Sequence, residues 1–185
     1  YLGASGVTFA STLGFGATRQ TGAVSGNNEG VQEASGSGVF TLHNPTTDML
    51  IRTGSDISSV RIWAMLLNGG TSFNSDTIGG GAHHGAGFRY STVAGDGGWV
   101  GVTGDGTGSQ TVSGTVAAIA ALTVYRLRIR VEGSTIYFSV NGGTEVAMTT
   151  TLPDTQTILR WRIAVVTQAA AVRELTYFRT WQRGG

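Results

Sequence analysis

The sequence predicts an all-β fold, a sandwich of two antiparallel sheets, on three observations. Residues 124–132 read VYRLRIRVE, and apolar and charged residues alternate strictly there, as on a strand with one buried face. Glycine-rich punctuation recurs about every ten residues, which is typical of the turns in a sandwich or barrel. The chain has 30 glycines and few Leu, Glu or Lys, so helix-forming residues are scarce.

Strand candidates follow one another through the first half of the chain: GVFTLH, MLIRT, SVRIWAMLL, FRYST and GWVGVT. SVRIWAMLL is apolar on both faces apart from Arg61, which predicts a central strand that is covered on both sides. TVAAIAALT competes as a helix, but a nine-residue segment with β-branched ends has only a weak helical tendency. We therefore expect strands throughout.

The second half contains the clearest supersecondary pattern. Strand 124–132 is followed by Gly133-Ser134 and TIYFSV, and Asn141-Gly142-Gly143 supplies the positive φ angles of a tight hairpin before TEVAM returns. ILRWRIAVVT alternates in the same way, and ELTYFRTW forms the last strand. In ELTYFRTW, Arg179 falls among apolar residues, so either it is an inward-facing exception or a β-bulge shifts the register.

Length and composition predict one β-sandwich domain over residues 1–185, with N-terminal strands and glycine-rich loops in 1–55 and the core in 56–182. No cysteine is present, which excludes disulfides and thiolate chemistry. The formal net charge of +1 argues against a nucleic-acid partner. No apolar run reaches the length of a membrane span, so we expect no membrane partner.

Histidines and carboxylates offer little evidence for a metal, a cofactor or catalysis. The stretch IGGGAHHGAGFRYS holds His83 and His84, but neighbouring residues on a strand point to opposite faces, and no His-Glu-x-x-His spacing occurs. We interpret the pair as the polar end of a loop, where an imidazole forms a hydrogen bond with the backbone. Asp96-Gly97 and Asp105-Gly106 are interpreted as turns, because the spacing does not fit a calcium loop. We expect no catalytic residue and no bound metal or cofactor.

Arginine residues line one face of each of two predicted strands: Arg126, Arg128 and Arg130 on one, and Arg160 and Arg162 on the other. If the two strands were neighbours, five guanidinium groups would crowd one sheet face with little acid beside them, which is unfavourable unless something neutralises them. One interpretation is a surface completed by an acidic partner, an anionic glycan or phosphate. The other is a solvated face, and the sequence leaves both open.

Aromatic residues could provide stacking surfaces for sugars. Tyr90, Trp99 and Tyr137 are the best candidates for exposure and hence for glycan contact, while core packing is the default for most of the others.

Several segments resemble a known family: SDISSVRIWAMLL, AGFRYSTVAGDGGWVGVTGDGTGSQTVS, YRLRIRVEGSTIYFSVNG and TTLPDTQTILRWRIAVVT. Their order is similar to that in a domain of tailed-bacteriophage virion structural proteins with a concanavalin A-like jelly-roll sandwich. The resemblance implies that fold, and it implies an oligomeric fibre or decoration protein. It also implies that the glycine run before Phe88 is a loop that feeds a strand. The Glu-x-Asp-x-Glu strand of glucanase relatives is missing.

The resemblance therefore implies a non-enzymatic virion structural protein on the particle surface, such as a capsid decoration, head fibre or tail fibre domain. Its partners would be other virion proteins and copies of itself, with a trimer favoured. The alternative is a glycan-binding receptor-recognition module of a tail fibre that contacts a host surface glycan. A third, more distant possibility is a polysaccharide-degrading enzyme.

Overall fold

A computed structural model of the chain describes residues 2–3, 16–33, 38–69 and 73–184; the parts of the predicted 1–55 segment that fall in 4–15 and 34–37 lie outside the described residues. The described chain is all-β. Its strands, numbered β1 to β14 in chain order, are Leu2–Gly3, Ala17–Gln20, Asn28–Gln32, Val39–Phe40, Thr46–Thr53, Val60–Leu67, His84–Ser91, Trp99–Asp105, Gln110–Ala117, Val124–Glu132, Thr135–Val140, Val146–Met148, Ile158–Thr167 and Glu174–Arg183. Two short 3-10 helices cover Thr41–His43 and Ile78–Gly80.

The strands form two antiparallel sheets. The larger sheet has the order β1-β3-β13-β6-β7-β8-β9, and β4 also pairs with β13. The smaller sheet has the order β12-β11-β10-β5-β14-β2. Apolar side chains from the inner faces of both sheets form one buried core, so the fold is the sandwich that the sequence predicts. Within the described residues, no helix is both long enough and apolar enough to cross a lipid bilayer.

Strand β10 confirms the alternating pattern on which the fold prediction depends. Its odd-numbered residues, Tyr125 to Val131, are buried in the core, and the arginines between them reach the outer face. β10 pairs with β11 in an antiparallel hairpin, and the turn that follows β11 has positive φ at both Asn141 (54°) and Gly142 (75°). The predicted strands and the predicted turn are both confirmed.

Strand β6 confirms the prediction of a strand covered on both sides, since all eight of its residues are buried. One face joins the core between the sheets. The other face carries Trp63, Met65 and Leu67, which pack with Phe73 and Ile78 of the segment that follows β6. We call residues 73–83 the cover segment, because this segment lies across the outer face of the larger sheet.

The glycine run before Phe88 is a loop only in its first part: Ile78–Gly80 form a 3-10 helix, and strand β7 already begins at His84. A Cβ atom at Gly87 would lie 2.2 Å from Cβ of Met65, and a Cβ atom at Gly85 would lie 2.8 Å from the carbonyl oxygen of Leu66. Gly85 and Gly87 therefore permit the close approach of β6 and β7 inside the sheet.

Strand β14 contains the bulge that the sequence left open. Tyr177 pairs with Ile51 of β5, Arg179 pairs with the adjacent Leu50, and the register shifts between them. After this shift, Arg179 and Trp181 lie on the outer face of the smaller sheet, although sequence parity would have placed them inside with Tyr177.

Candidate functional site

The outer face of the smaller sheet gathers most of the charged side chains of that sheet. We call this surface the arginine face and define it by Arg126, Arg128 and Arg130 of β10, Arg179, Trp181 and Arg183 of β14, Tyr137 of β11, and the carboxylates Asp48, Glu132 and Glu145. Five arginines stand against three carboxylates, so the face has two excess positive charges, whereas the whole chain has a formal net charge of +1.

Asp48 lies at the centre of this face, on β5, between β10 and β14. Its side chain is fully buried and accepts hydrogen bonds from two arginines in the same mode. Nε and Nη2 of Arg126 donate at 2.8 and 3.1 Å, and the same atoms of Arg128 donate at 2.9 and 3.2 Å. Nη2 of Arg183 lies 3.7 Å from Oδ2 of Asp48. One buried carboxylate therefore orients guanidinium groups from both neighbouring strands.

The environment of Asp48 keeps it ionised. Burial alone raises the pKa of this carboxyl group, but the hydrogen bonds from Arg126 and Arg128 outweigh burial, so its pKa lies below the usual value. The same bonds raise the pKa of Arg126. Asp48 is therefore a fixed anion that organises the arginines and is poorly suited to proton transfer near neutral pH.

Arg130 forms a second ion-pair group at the edge of the face. Its Nε and Nη2 donate to the two carboxylate oxygens of Glu145 at 3.0 and 2.6 Å, and its Nη1 donates to Glu132 at 2.6 Å. The hydrogen bonds that Arg130 donates to Glu145 and Glu132 raise the pKa of Arg130, and the bond from Arg130 lowers the pKa of Glu145. The guanidinium lies 4.0 Å from the ring centroid of Tyr137.

The aromatic rings of the arginine face support guanidinium groups. Arg126 lies 5.3 Å and Arg179 lies 4.7 Å from the ring centroid of Trp181, both within cation–π range. With Arg130 over Tyr137, both aromatic side chains are partly covered by cations. The rings therefore orient arginines, and little of their faces remains for stacking against a neutral sugar.

The guanidinium groups nevertheless remain accessible to a ligand. The Arg126 side chain is 39% exposed, that of Arg128 is 30% exposed and that of Arg183 is 63% exposed. Arg179 is also exposed. The result is an array of charged N–H donors on an open sheet face, a geometry that matches carboxylate or sulfate oxygens in a bidentate manner.

The structure brings together only some of the residues that the sequence singled out. Arg126, Arg128, Arg130 and Tyr137 share the arginine face. Arg160 and Arg162 do not join them, because β13 pairs with β3 and β6 in the larger sheet. The two strands are therefore not neighbours, and the condition under which five arginines would share one sheet face is not met. Burial, followed by the charge of Arg160, lowers the pKa of the largely buried Arg162.

Two predicted glycan contacts are wrong because their side chains belong to the core. Trp99 is fully buried and packs edge-on against Phe88 and Tyr125. Tyr90 is also buried, and its hydroxyl donates to the carbonyl oxygen of Ile57. The sequence predicted strands at both residues, but it did not show that both side chains face the core.

Sequence reasoning missed Asp48, Arg179, Trp181 and Arg183. The signal for Asp48 was present, because it is the one acidic residue in TTDMLIRT and the arginine-rich strand needed an anion opposite. The β14 residues could be assigned to this face only if the sequence had shown that a bulge shifts the register of β14. Local alternation does not distinguish a bulge from an inward-facing arginine.

The histidine and Asp-Gly motifs have structural roles. His84 Nδ1 accepts a hydrogen bond from the backbone N–H of Asp154 at 3.1 Å, which confirms the polar interpretation for this imidazole. Asp96 accepts two hydrogen bonds from Arg89 and one from the N–H of Ser91, and Asp105 caps the turn at Thr107. Across residues 2–3, 16–33, 38–69 and 73–184, no three His, Asp or Glu side chains are grouped to hold a metal ion.

Comparison with known proteins shows the fold. No protein-family model matches the sequence, and no curated protein matches it. Alginate lyase A1-II′, a member of polysaccharide lyase family 7, has a TM-score of 0.64 and 11% identity, with 92% of this chain and 80% of that chain covered. The Bacillus licheniformis β-glucanase has a TM-score of 0.60 and 10% identity, with 92% of this chain and 78% of that chain covered. The carbohydrate recognition domain of Emp46p has a TM-score of 0.65 and 8% identity, with 91% of this chain and 83% of that chain covered.

These neighbours contradict the predicted function. We expected a non-enzymatic virion structural protein or a fibre receptor module, whereas the matching structures include alginate lyases, a glycoside hydrolase family protein and a β-glucanase. The comparisons give no support for a phage origin. The motifs behind the expectation, alternating strands and an Asn-Gly turn, specify the architecture and not the ligand. At 8–14% identity the likeness establishes the fold, and that fold is the predicted concanavalin A-like jelly-roll sandwich.

Proposed function

We propose that this chain is a carbohydrate-active enzyme domain that acts on an anionic polysaccharide and binds it along the arginine face. The observation that carries the proposal is the array of exposed guanidinium groups around the buried carboxylate of Asp48. This revives the third possibility from the sequence, a polysaccharide-degrading enzyme.

The chemistry of the face favours an anionic over a neutral sugar. Neutral sugars are held largely by stacking on open aromatic rings, but Trp181 and Tyr137 both lie against guanidinium groups. Charged N–H donors in a fixed fork bind carboxylate or sulfate oxygens about twice as strongly as neutral donors bind neutral acceptors. The spacing of Arg126 and Arg128, fixed by Asp48, therefore favours a ligand with repeated anionic groups.

The shape of the face favours a polymer. Apart from Glu145, which directly precedes β12, the defining residues lie on β14, β5, β10 and β11, four adjacent strands that span about 14 Å at the usual strand spacing. This surface is open and could contact several consecutive sugar residues. Structural neighbours that act on or recognise carbohydrate, including alginate lyase and β-glucanase, support a polysaccharide ligand for this fold.

The same residues suggest how cleavage would proceed. Neutralising a uronate carboxylate with guanidinium groups acidifies the adjacent C–H bond, because the negative charge that develops is then stabilised. β-Elimination would then break this C–H bond and the neighbouring glycosidic C–O bond and form a C=C bond in the sugar ring. The carboxylate of Glu132 would accept the proton, and the departing glycosidic oxygen would take a proton from solvent. Glu132 is exposed, with 67% of its side chain accessible.

We predict that the double variant Arg179→Gln/Arg183→Gln binds a soluble polyuronate at least roughly tenfold more weakly than wild type, because each charge-assisted hydrogen bond contributes about 1.5–3 kcal/mol. Both side chains are exposed, so folding should be preserved. Calorimetry at low salt measures the affinity, and added salt should weaken wild-type binding. Arg160→Gln, on the other sheet, is the matched control and should bind like wild type.

Cleavage is measured in parallel as the release of reducing ends from polyuronate, sulfated polysaccharide and neutral β-glucan. The proposal expects release from an anionic polymer, with a lower rate in the double variant. Release from β-glucan alone would contradict it. Equal polyuronate affinity in wild type and the double variant would also contradict it.

A further inference from the structure

A second feature capable of binding a ligand lies outside the arginine face. A cavity of about 170 Å³ opens on the larger sheet, between the start of β6, the end of β13 and the loop before β3. A cavity of roughly 150 Å³ accommodates a six-membered ring such as benzene, so this volume is on the scale of one sugar ring and not of an oligosaccharide. Arg61 and Asn74 line it, together with Val93, Val166 and Gln168.

Arg61 contributes hydrogen-bond donors to this cavity. Its side chain is only 6% exposed, and Nε donates to Asp76 at 2.6 Å. Nη1 donates to the carbonyl oxygen of Phe73. In the amide orientation of Gln168 that satisfies both its oxygen and its nitrogen, Nη2 donates to the Gln168 side-chain oxygen at 2.9 Å. A guanidinium group has five N–H bonds, and these contacts use three of them. The buried cation is thus held in place by the protein and is not saturated by it.

Asn74 adds two further donors. Its side-chain oxygen accepts a hydrogen bond from Nδ2 of Asn28 at 3.2 Å, and this fixes the orientation of the amide. Its Nδ2 group then faces Gly26, where a Cβ atom would lie 3.7 Å away. The cavity wall is therefore rich in N–H donors, one of them on a cation, and such a wall selects an acceptor-rich anion.

Two valines complete the cavity. Val166 is buried and forms an apolar wall, and Val93 is exposed at the rim. A ligand that fits has a carboxylate facing Arg61 and Asn74, and a compact body lying against the valines. A single sugar acid has both parts, whereas a simple inorganic anion lacks the body.

We propose that this cavity binds one carboxylate-bearing monosaccharide unit. The site is independent of the arginine face, which would hold a polymer.

The test uses D-glucuronate, with D-glucose as the probe that lacks the carboxylate and acetate as the probe that lacks the ring. We expect D-glucuronate to bind wild type with a dissociation constant of about 1 mM, as for a small ligand with few contacts, and roughly tenfold more tightly than either control probe. Protein-observed NMR titration measures all three.

Val93→Trp should block the cavity and weaken D-glucuronate binding by roughly tenfold or more, and its exposed position makes folding safe. Asn74→Leu removes two donors and should weaken binding several-fold. Val112→Trp, on β9, is the matched control and should have no effect. Unchanged affinity in Val93→Trp, or equal affinity for glucuronate and glucose, would overturn the proposal.

The two proposals fail separately. Arg179→Gln/Arg183→Gln should keep its affinity for D-glucuronate while losing affinity for polyuronate, and Val93→Trp should show the reverse pattern. Loss of D-glucuronate binding in the arginine double variant would overturn the cavity site and leave the arginine face standing.

Discussion

Phe138→Ala is expected to lower the free energy of unfolding by about 3–5 kcal/mol, the usual cost of removing a fully buried aromatic ring. Phe138 is 0% exposed on β11 and packs edge-on against Phe88 of the opposite sheet, with ring centroids 5.2 Å apart. Gly101 of β8 is also close, since a Cβ atom there would lie 2.7 Å from the Phe138 ring. The ring therefore joins three strands across both sheets.

Chemical denaturation of wild type and variant measures this loss. Val112→Ala, at a partly exposed position on the edge strand β9, is the matched control and should change the unfolding free energy by less than about 0.5 kcal/mol. A loss below about 1 kcal/mol for Phe138→Ala would mean that the two sheets do not meet at this ring.

Asp48→Asn is expected to lower the free energy of unfolding by about 2–3 kcal/mol at neutral pH. Removing one partner of a buried ion pair costs about 3–5 kcal/mol. Solvent around Arg126 and Arg128, whose side chains are 39% and 30% exposed, reduces this figure. The variant should also bind polyuronate more weakly, because its arginines lose their common anchor.

The effect of Asp48→Asn should depend on pH in a defined direction. The folded-state pKa of Asp48 is lowered, so its stabilising contribution is complete above the unfolded pKa of about 3.9 and is lost as pH falls through the folded pKa. The stability difference between wild type and variant should therefore be constant from about pH 7 to 5 and shrink in stronger acid.

Denaturation curves across this range check the pH dependence. Glu132→Gln removes an exposed carboxylate from the same face and should change stability by less than about 1 kcal/mol at all pH values. If the stability difference between wild type and Asp48→Asn grew in acid, Asp48 would not be the anion on which the arginines depend.

Much of the architecture follows from local pattern. The alternation in 124–132 and the Asn141-Gly142 turn require only neighbouring residues, and both are observed. The apolar sequence of β6 predicted cover on both faces, although it did not reveal that the cover segment supplies one of them. Local periodicity determines which residues share a face of a strand, and this explains why the strands and their buried faces could be predicted from the sequence.

The candidate site depends on long-range pairing, which local pattern cannot supply. Asp48 meets Arg128 across 80 positions in the chain, and Arg160 lies in the other sheet because β13 inserts between β3 and β6. Trp181 reaches the arginine face only through the β14 bulge. The expected homo-oligomer, with a trimer favoured, stays a prediction from the sequence.

An NMR titration with a soluble polyuronate tests the central claim most directly. Our account predicts shifts in the side-chain N–H signals of Arg126, Arg128 and Trp181, while the buried indoles of Trp63 and Trp99 stay unchanged. Shifts confined to Arg160, Arg162 and their surroundings on the larger sheet, with the arginine face unchanged, would contradict it.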